Sequence, residues 1–85
     1  MKEFNFVIRD SVGIHARPAG MLVKKASEFA SSVMISKDGK QVDAKRLFSI
    51  MSLAAKQGDT ICFMIEGFDE NSAADALIEL CEQNL

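Results

Sequence analysis

The segment Phe4-Asn5-Phe6-Val7-Ile8 repeats with a period of two and predicts a strand with Phe4, Phe6 and Ile8 on one face. From residue 16 to 28 the period lengthens. Ala19, Leu22, Val23 and Ala26 line one side and Lys24, Lys25 and Glu28 the other, which predicts an amphipathic helix. Val33-Met34-Ile35-Ser36 and Lys40-Gln41-Val42 predict two strands joined through Asp38-Gly39, a favoured hairpin pair. Residues 47 to 55 predict a short helix too apolar all round for a simple surface element, and Ile61 to Glu66 a fourth strand. Asp69 is then placed to cap a last helix with a stripe of Ala73, Ala74, Leu77, Leu80 and Cys81. The order is β-α-β-β-α-β-α. Because each strand has one apolar face, the expected class is α+β, with a single helical layer on one sheet.

Composition bounds this picture. Eighty-five residues, 48% of them apolar, support one domain spanning 1–85 and no second core. Met1-Lys2-Glu3 opens no signal-peptide pattern and no run is long enough to span a bilayer, so a cytoplasmic location is expected, with both cysteines reduced. Charge is unevenly spread. Residues 1–58 hold ten basic and five acidic side chains, and residues 59–85 hold seven acidic and none basic. Arg17, Lys24, Lys25, Lys45 and Arg46 read either as ordinary solvated surface or as a field that steers an acidic protein partner. A nucleic-acid partner is not expected, since the net charge is −2 and Trp and Tyr are absent.

The chemistry concentrates in Gly13-Ile14-His15-Ala16-Arg17-Pro18, which holds the only histidine and the only proline. Proline suits the first turn of a helix, where its missing N–H and fixed φ cost nothing, so Pro18 marks the helix start and His15 falls at or just before the N-cap. Unpaired amides and the positive dipole end make that turn an anion site. A ring nitrogen of His15 could carry a phosphoryl group there, with the Arg17 guanidinium on its oxygens. A single histidine at a helix start also reads as a polar capping or surface residue. Metal binding is not expected, because Cys62 and Cys81 have no ligand-type spacing with His15. No cofactor is expected.

The string Gly13-Ile14-His15-Ala16-Arg17-Pro18-Ala19 resembles the active-site signature of the HPr family, the histidine-containing phosphocarriers of the bacterial sugar phosphotransferase system. The likeness runs nearly end to end. Asp38-Gly39-Lys40 falls at the family's hairpin, Ala44-Lys45 and Met51-Ser52-Leu53 around its second helix, and Gly67, Asp69, Glu70 and Ala73 at its last. The resemblance implies an open-faced two-layer sandwich with sheet order 1-4-2-3 and three helices on one face. The other face would then show Val7, Met34, Cys62 and Met64, which read either as ordinary scattered exposed apolar residues or as a docking or self-association surface on an otherwise monomeric protein.

The resemblance also implies a role for each site residue. His15 would accept phosphate on Nδ1 from phosphorylated enzyme I, itself charged by phosphoenolpyruvate, and pass it to the IIA domain of a sugar permease. Arg17 would pair with the phosphoryl group, and the amides of Ala16 and Arg17 would complete the cradle. The protein would be a carrier and not an enzyme. Both partners would dock on Gly20 and Lys24 of the first helix and on Leu47, Phe48 and Met51 of the second, with Arg46 beside them. Leu47 and Met51 read equally well as core. Gly20 implies close approach of a neighbouring element or of a partner.

Position 46 departs from the pattern. Many low-GC Gram-positive members carry a serine there that HPr kinase/phosphorylase modifies, whereas Arg46 has no hydroxyl and no capping oxygen. Asp43 could recover part of the cap if the helix begins earlier, and Ser49 and Ser52 are conceivable substitutes for the missing site. Val12 likewise stands where a small polar residue is usual. A specialised paralogue serving a dedicated or nitrogen-type relay, and a docking module without phosphate chemistry, are the rival readings.

Overall fold

The computed structural model describes residues 1–85. The elements are β1 (Lys2–Val7), α1 (Ala16–Ser27), β2 (Ser32–Lys37), β3 (Lys40–Asp43), α2 (Leu47–Met51), β4 (Thr60–Glu66) and α3 (Glu70–Asn84). The strands form one antiparallel sheet in the order β1-β4-β2-β3, as the family resemblance implies.

The register sets the two faces. Phe4 lies opposite Phe63 and Phe6 opposite Ile61, while Ile35 and Val33 pair with Phe63 and Ile65 from the other side. The inward side chains of Val33, Ile35, Ile61, Phe63 and Ile65 meet Leu22 and Ala26 of α1, Ile50 of α2, and Ala73 and Leu77 of α3 in one buried cluster, with Phe4 and Phe6 packed partly buried against it. Phe4 stacks on Phe63 with ring centroids 4.7 Å apart. On the opposite face Val7 is exposed and Met34, Cys62 and Met64 are half-buried. Cys81 is buried on the inner side of α3, and loss of solvation pushes its thiol up to about 12. Both cysteines are free.

Two expectations need correction, and a third, given only as a condition, is not met. First, the apolar run 47–55 yields a helix of only five residues, Leu47–Met51. Ala54 adopts φ +50° and turns the chain out of the helix, so Leu53 and Ala55 reach the core from a loop. Second, Asp69 occupies the N-cap position of α3 without capping it. Its carboxylate instead accepts the amides of Ala30 (2.9 Å) and Ser31 (3.0 Å), together with the Ser31 hydroxyl. Those bonds, the Ser31 hydroxyl foremost, hold its carboxyl below the usual carboxylate range. Third, α2 does not begin at Asp43. Asp43 accepts the Lys45 amide at 2.8 Å in a local turn, and Arg46 is the N-cap, with no side-chain cap.

Candidate functional site

The loop between β1 and α1 is pinned at successive residues. Ile8 exchanges hydrogen bonds with the 58–59 turn, its amide reaching the Asp59 carbonyl at 2.9 Å and its carbonyl accepting the Gly58 amide at 2.8 Å. The Asp10 amide donates to the Leu85 carbonyl at 2.7 Å. The Asp10 carboxylate accepts the Val12 amide (2.8 Å) and its carbonyl the Gly13 amide (3.0 Å). Asp10 thus folds the loop through its own side chain, while the Val12 side chain points into solvent.

Gly13 is required sterically as well as conformationally. Its φ is +78°, and a Cβ there would lie 2.5 Å from the Ala55 carbonyl oxygen and 2.9 Å from Lys56 Cα. Next to it the Ile14 amide donates to that same Ala55 oxygen at 3.0 Å. These contacts deliver the chain to His15 in a fixed direction.

His15 is the N-cap of α1, with extended backbone (φ −123°, ψ −173°) and no side-chain cap. Its carbonyl accepts the Ala19 amide at 2.9 Å, which leaves the amides of Ala16 and Arg17 without acceptors, and Pro18 has none to offer. The His15 ring makes no hydrogen bond and is partly exposed. The Arg17 guanidinium is exposed and unpaired. Both side chains line one open depression with Asp10, Pro18, Met21, Gln83 and Asn84. The first turn carries no acidic residue to offset the dipole. An unpaired imidazole, a free guanidinium and two free amides at a positive helix end can bind an anion and accept a group on nitrogen.

Of this set, Asp10, Met21, Gln83 and Asn84 were missed by the sequence reading. Asp10 had a local signal, an aspartate two residues before a backbone donor in a turn ending at glycine. Gln83 and Asn84 had none, because only the packing of α3 beside α1 brings them near.

The expected docking residues share one side of α1 and α2. The Gly20 Cβ position has no neighbour within 4 Å, so no element of this chain needs the missing side chain. Lys24 is exposed. Phe48 is 82% exposed and Met51 37%, whereas Leu47 packs partly against the core. The Arg46 side chain is 77% exposed and 3.8 Å from Asp43. The proposed steering charges divide differently from expectation. Lys45 is used internally, donating to the Phe29 carbonyl at 2.9 Å, and Lys25 lies 3.4 Å from Glu28. Arg17 and Lys24 stay unpaired, and Arg46, although near Asp43, keeps most of its side chain in solvent. No cluster of three or more metal-ligating side chains is assembled, and no helix is long and apolar enough to cross a membrane.

Comparison with known proteins gives these features a family. The family described as PTS-HPr, PTS HPr component phosphorylation site, matches residues 2–83. The HPr-like protein Crh of Halalkalibacterium halodurans is 42% identical over 98% of this chain and 99% of its own. The phosphocarrier protein HPr of Lysinibacillus sphaericus is 42% identical over 94% of this chain and 91% of its own. Among solved structures, HPr-C-His from Thermoanaerobacter tengcongensis superimposes with a TM-score of 0.93 at 43% identity, covering 98% of this chain and 93% of that one. Crh from Bacillus subtilis, whose crystal structure is a dimer with a swapped domain, gives a TM-score of 0.78 at 35% identity, covering 94% and 92%. In sequence and in fold alike, over nearly its whole length, this chain belongs to the HPr family of phosphocarrier proteins.

Proposed function

We propose that this chain carries a phosphoryl group on His15 Nδ1, taken from phosphorylated enzyme I and hence from phosphoenolpyruvate, and delivers it to IIA domains of sugar permeases. The observation that carries this reading is the unpaired His15 ring at the open N-terminus of α1, sharing a depression with the unpaired Arg17 guanidinium. In the uptake step the His15 nitrogen bonds phosphorus as the phosphorus–nitrogen bond of the donor breaks, and in delivery the new bond breaks in turn. The amides of Ala16 and Arg17 and the Arg17 guanidinium neutralise the oxygens throughout. Positioning and charge are what such a loose transition state needs. The protein is consumed and regenerated as a carrier, without metal or cofactor, in the cytoplasm.

Partners dock over Gly20, Lys24, Phe48 and Met51, with Leu47 supporting from below and Arg46 at the rim. Exposed apolar anchors inside a basic rim fit a transient acidic partner. Arg46 leaves no hydroxyl for a kinase, so this carrier escapes control at that position. Ser52 donates to the Ser49 carbonyl at 2.6 Å, and Ser49 is half-buried, which supports reading both as ordinary helix serines.

A second reading is a regulatory docking module or a specialised paralogue. It draws on the 42% identity to an HPr-like protein named Crh. An intact His15 and Arg17 favour the carrier, because docking needs neither. Intact-protein mass spectrometry after incubation with enzyme I, phosphoenolpyruvate and Mg²⁺ tests the choice. One acid-labile phosphate is expected on the wild type and none on His15→Ala. No phosphate on either, beside an ordinary HPr that is charged, would favour the docking module or a dedicated donor. The working form is a monomer, and sedimentation velocity at high protein concentration decides between it and a swapped dimer.

A further inference from the structure

Lys37 and Lys40 are direct partners across the β2–β3 hairpin. Like charges facing each other in a sheet oppose pairing unless something draws both ammonium groups away. Here the turn that follows α2 does so. The Lys37 Nζ donates to the Leu53 carbonyl at 3.2 Å and the Ala54 carbonyl at 3.4 Å, and the Lys40 Nζ donates to the Ser52 carbonyl at 3.2 Å. The carbonyls of α2 itself are taken up by Ser52, Leu53 and Ala54, so those of the turn residues 52–54 are left for the lysines. Lys37 is the more committed of the two. Its side chain is only 17% exposed, and its ammonium lies 3.3 Å from the Asp59 carboxylate, which in turn accepts the Lys56 amide at 2.8 Å.

The segment so held is the floor of the His15 loop. Ala54, at φ +50°, sits in the left-handed region that glycine enters freely and alanine does not. The next residue, Ala55, offers its carbonyl to the Ile14 amide and stands directly against Gly13. Ile14 then leads into His15. An unbroken path runs from the Lys37 ammonium through the carbonyls of residues 53 and 54 to the backbone that aims the imidazole.

We propose that Lys37 is a positioning residue for phosphotransfer, clamping the left-handed turn at Ala54 so that Ala55 holds the His15 loop in register. The proposal rests on the carrier reading given above. Without the ammonium the turn relaxes toward ordinary φ, and the Ala55 carbonyl draws away from Ile14. Misplacement of a reacting group by about 1 Å can cost on the order of 10²-fold in rate, so a partial release should cost about tenfold.

The test compares Lys37→Met with Lys37→Arg in the full chain. With phosphorylated enzyme I as donor, Lys37→Met should lower kcat about tenfold with KM within about twofold, and Lys37→Arg should restore most of it. Amide hydrogen exchange gives a readout independent of phosphate. The Ile14 amide should exchange about tenfold faster in Lys37→Met, measured against the Ile35 and Phe63 amides, which report global opening. An unchanged Ile14 ratio overturns the proposal, as does a kcat loss that arginine does not restore. If the wild type takes no phosphate from enzyme I, the carrier reading falls, and the Ile14 ratio alone judges the clamp. If Lys37→Met fails to fold, Asp59→Asn removes the nearer of its two anionic partners, at 3.3 Å against 3.8 Å for Asp38. It should raise the Ile14 ratio about two- to fourfold, and no rise rejects the clamp.

Discussion

The helices α1 and α3 begin alike and are used in opposite ways. Each starts at a residue of the polar, hydrogen-bonding kind, His15 and Asp69, and neither side chain caps its own helix. Both ends leave two first-turn amides without acceptors, Ala16 and Arg17 at α1 and Asn71 and Ser72 at α3, but the first turn of α3 carries its own acid. Glu70 lies in the first turn, and its carboxylate accepts the Gly67 amide at 3.2 Å. Asp69 meanwhile ties α3 to the loop after α1 through Ala30 and Ser31. At α1 the first turn holds no acid, two amides stay free, and the N-cap imidazole has no partner. A helix end supplied with its own carboxylate has its dipole offset by the fold, and one left without can receive an anion from outside.

The sharpest way to break this contrast is at Arg17. With its guanidinium gone, α1 still offers amides and dipole but lacks the one mobile positive charge. Arg17→Ala should slow phosphoryl uptake from enzyme I about 10²-fold, in line with the loss of one donor to a developing anion. Its urea midpoint should stay within experimental error of wild type, because Arg17 is exposed and makes no ion pair. Rapid-quench kinetics beside urea titration would check both. A fall in midpoint would mean that this end, too, serves the fold.

The matching attack on the α3 end is Gly67→Ala. A Cβ at Gly67 would lie 2.7 Å from Ser31 Cα and would overlap the Ser31 hydroxyl, so the Asp69–Ser31 tie cannot persist unshifted. Overpacking of this kind typically costs about 1–3 kcal/mol. The midpoint should drop accordingly, while His15, at the other end of the helical layer, still takes up phosphate from enzyme I at the wild-type rate.

How far the sequence told these two ends apart follows from the range over which each signal acts. Pro18 marks the start of α1 because its constraint is local, and His15 could be located from it. The sheet order needed the family resemblance, because alternation identifies strands and not their neighbours. Asp69 was misread as a cap. N-cap rules concern residues two or three apart, whereas its partner Ser31 is 38 positions away. The shortening of α2 escaped for a related reason. Nothing in the apolar run 47–55 marks Ala54 as the left-handed residue, since glycine is the usual signal and the holding groups come from β2 and β3. Gln83 and Asn84 lay beyond any local rule.

Acid provides a gentler probe of the α3 end. The Asp69 carboxyl sits below its ordinary value of 3.8, chiefly because the Ser31 hydroxyl and then the Ala30 amide favour the charged form. A depressed folded-state value adds stability that is present in full above the unfolded value. That stability disappears as pH falls through the folded one. Wild type should therefore lose stability below about pH 4. Asp69→Asn should be less stable at neutral pH and should show a shallower acid limb. Asp59, also held low, chiefly by the Lys56 amide, leaves a residual slope in both proteins. Urea midpoints at a series of pH values would show this. Parallel acid limbs would mean that the tie contributes through geometry and not through charge.

The smallest effect is the most discriminating, because it separates folding from docking at one position. Gly20 interrupts α1, where alanine would favour the helix by about 1 kcal/mol. A Cβ there would touch nothing in the chain. The fold thus gives no reason for glycine, and a partner pressed against α1 does. Gly20→Ala should raise the melting temperature by a few degrees, since about 1 kcal/mol corresponds to roughly 4–8 °C in a domain of this size. It should also raise KM for enzyme I a few-fold with kcat unchanged, because uniform binding is lost and the reacting groups are untouched. A stabilised variant with unaltered KM would remove Gly20 from the docking surface and confine that surface to Lys24, Phe48 and Met51. A raised KM would mean that α1 gives up helix stability along its flank, as it leaves its N-terminal amides unpaired, for contact with a partner.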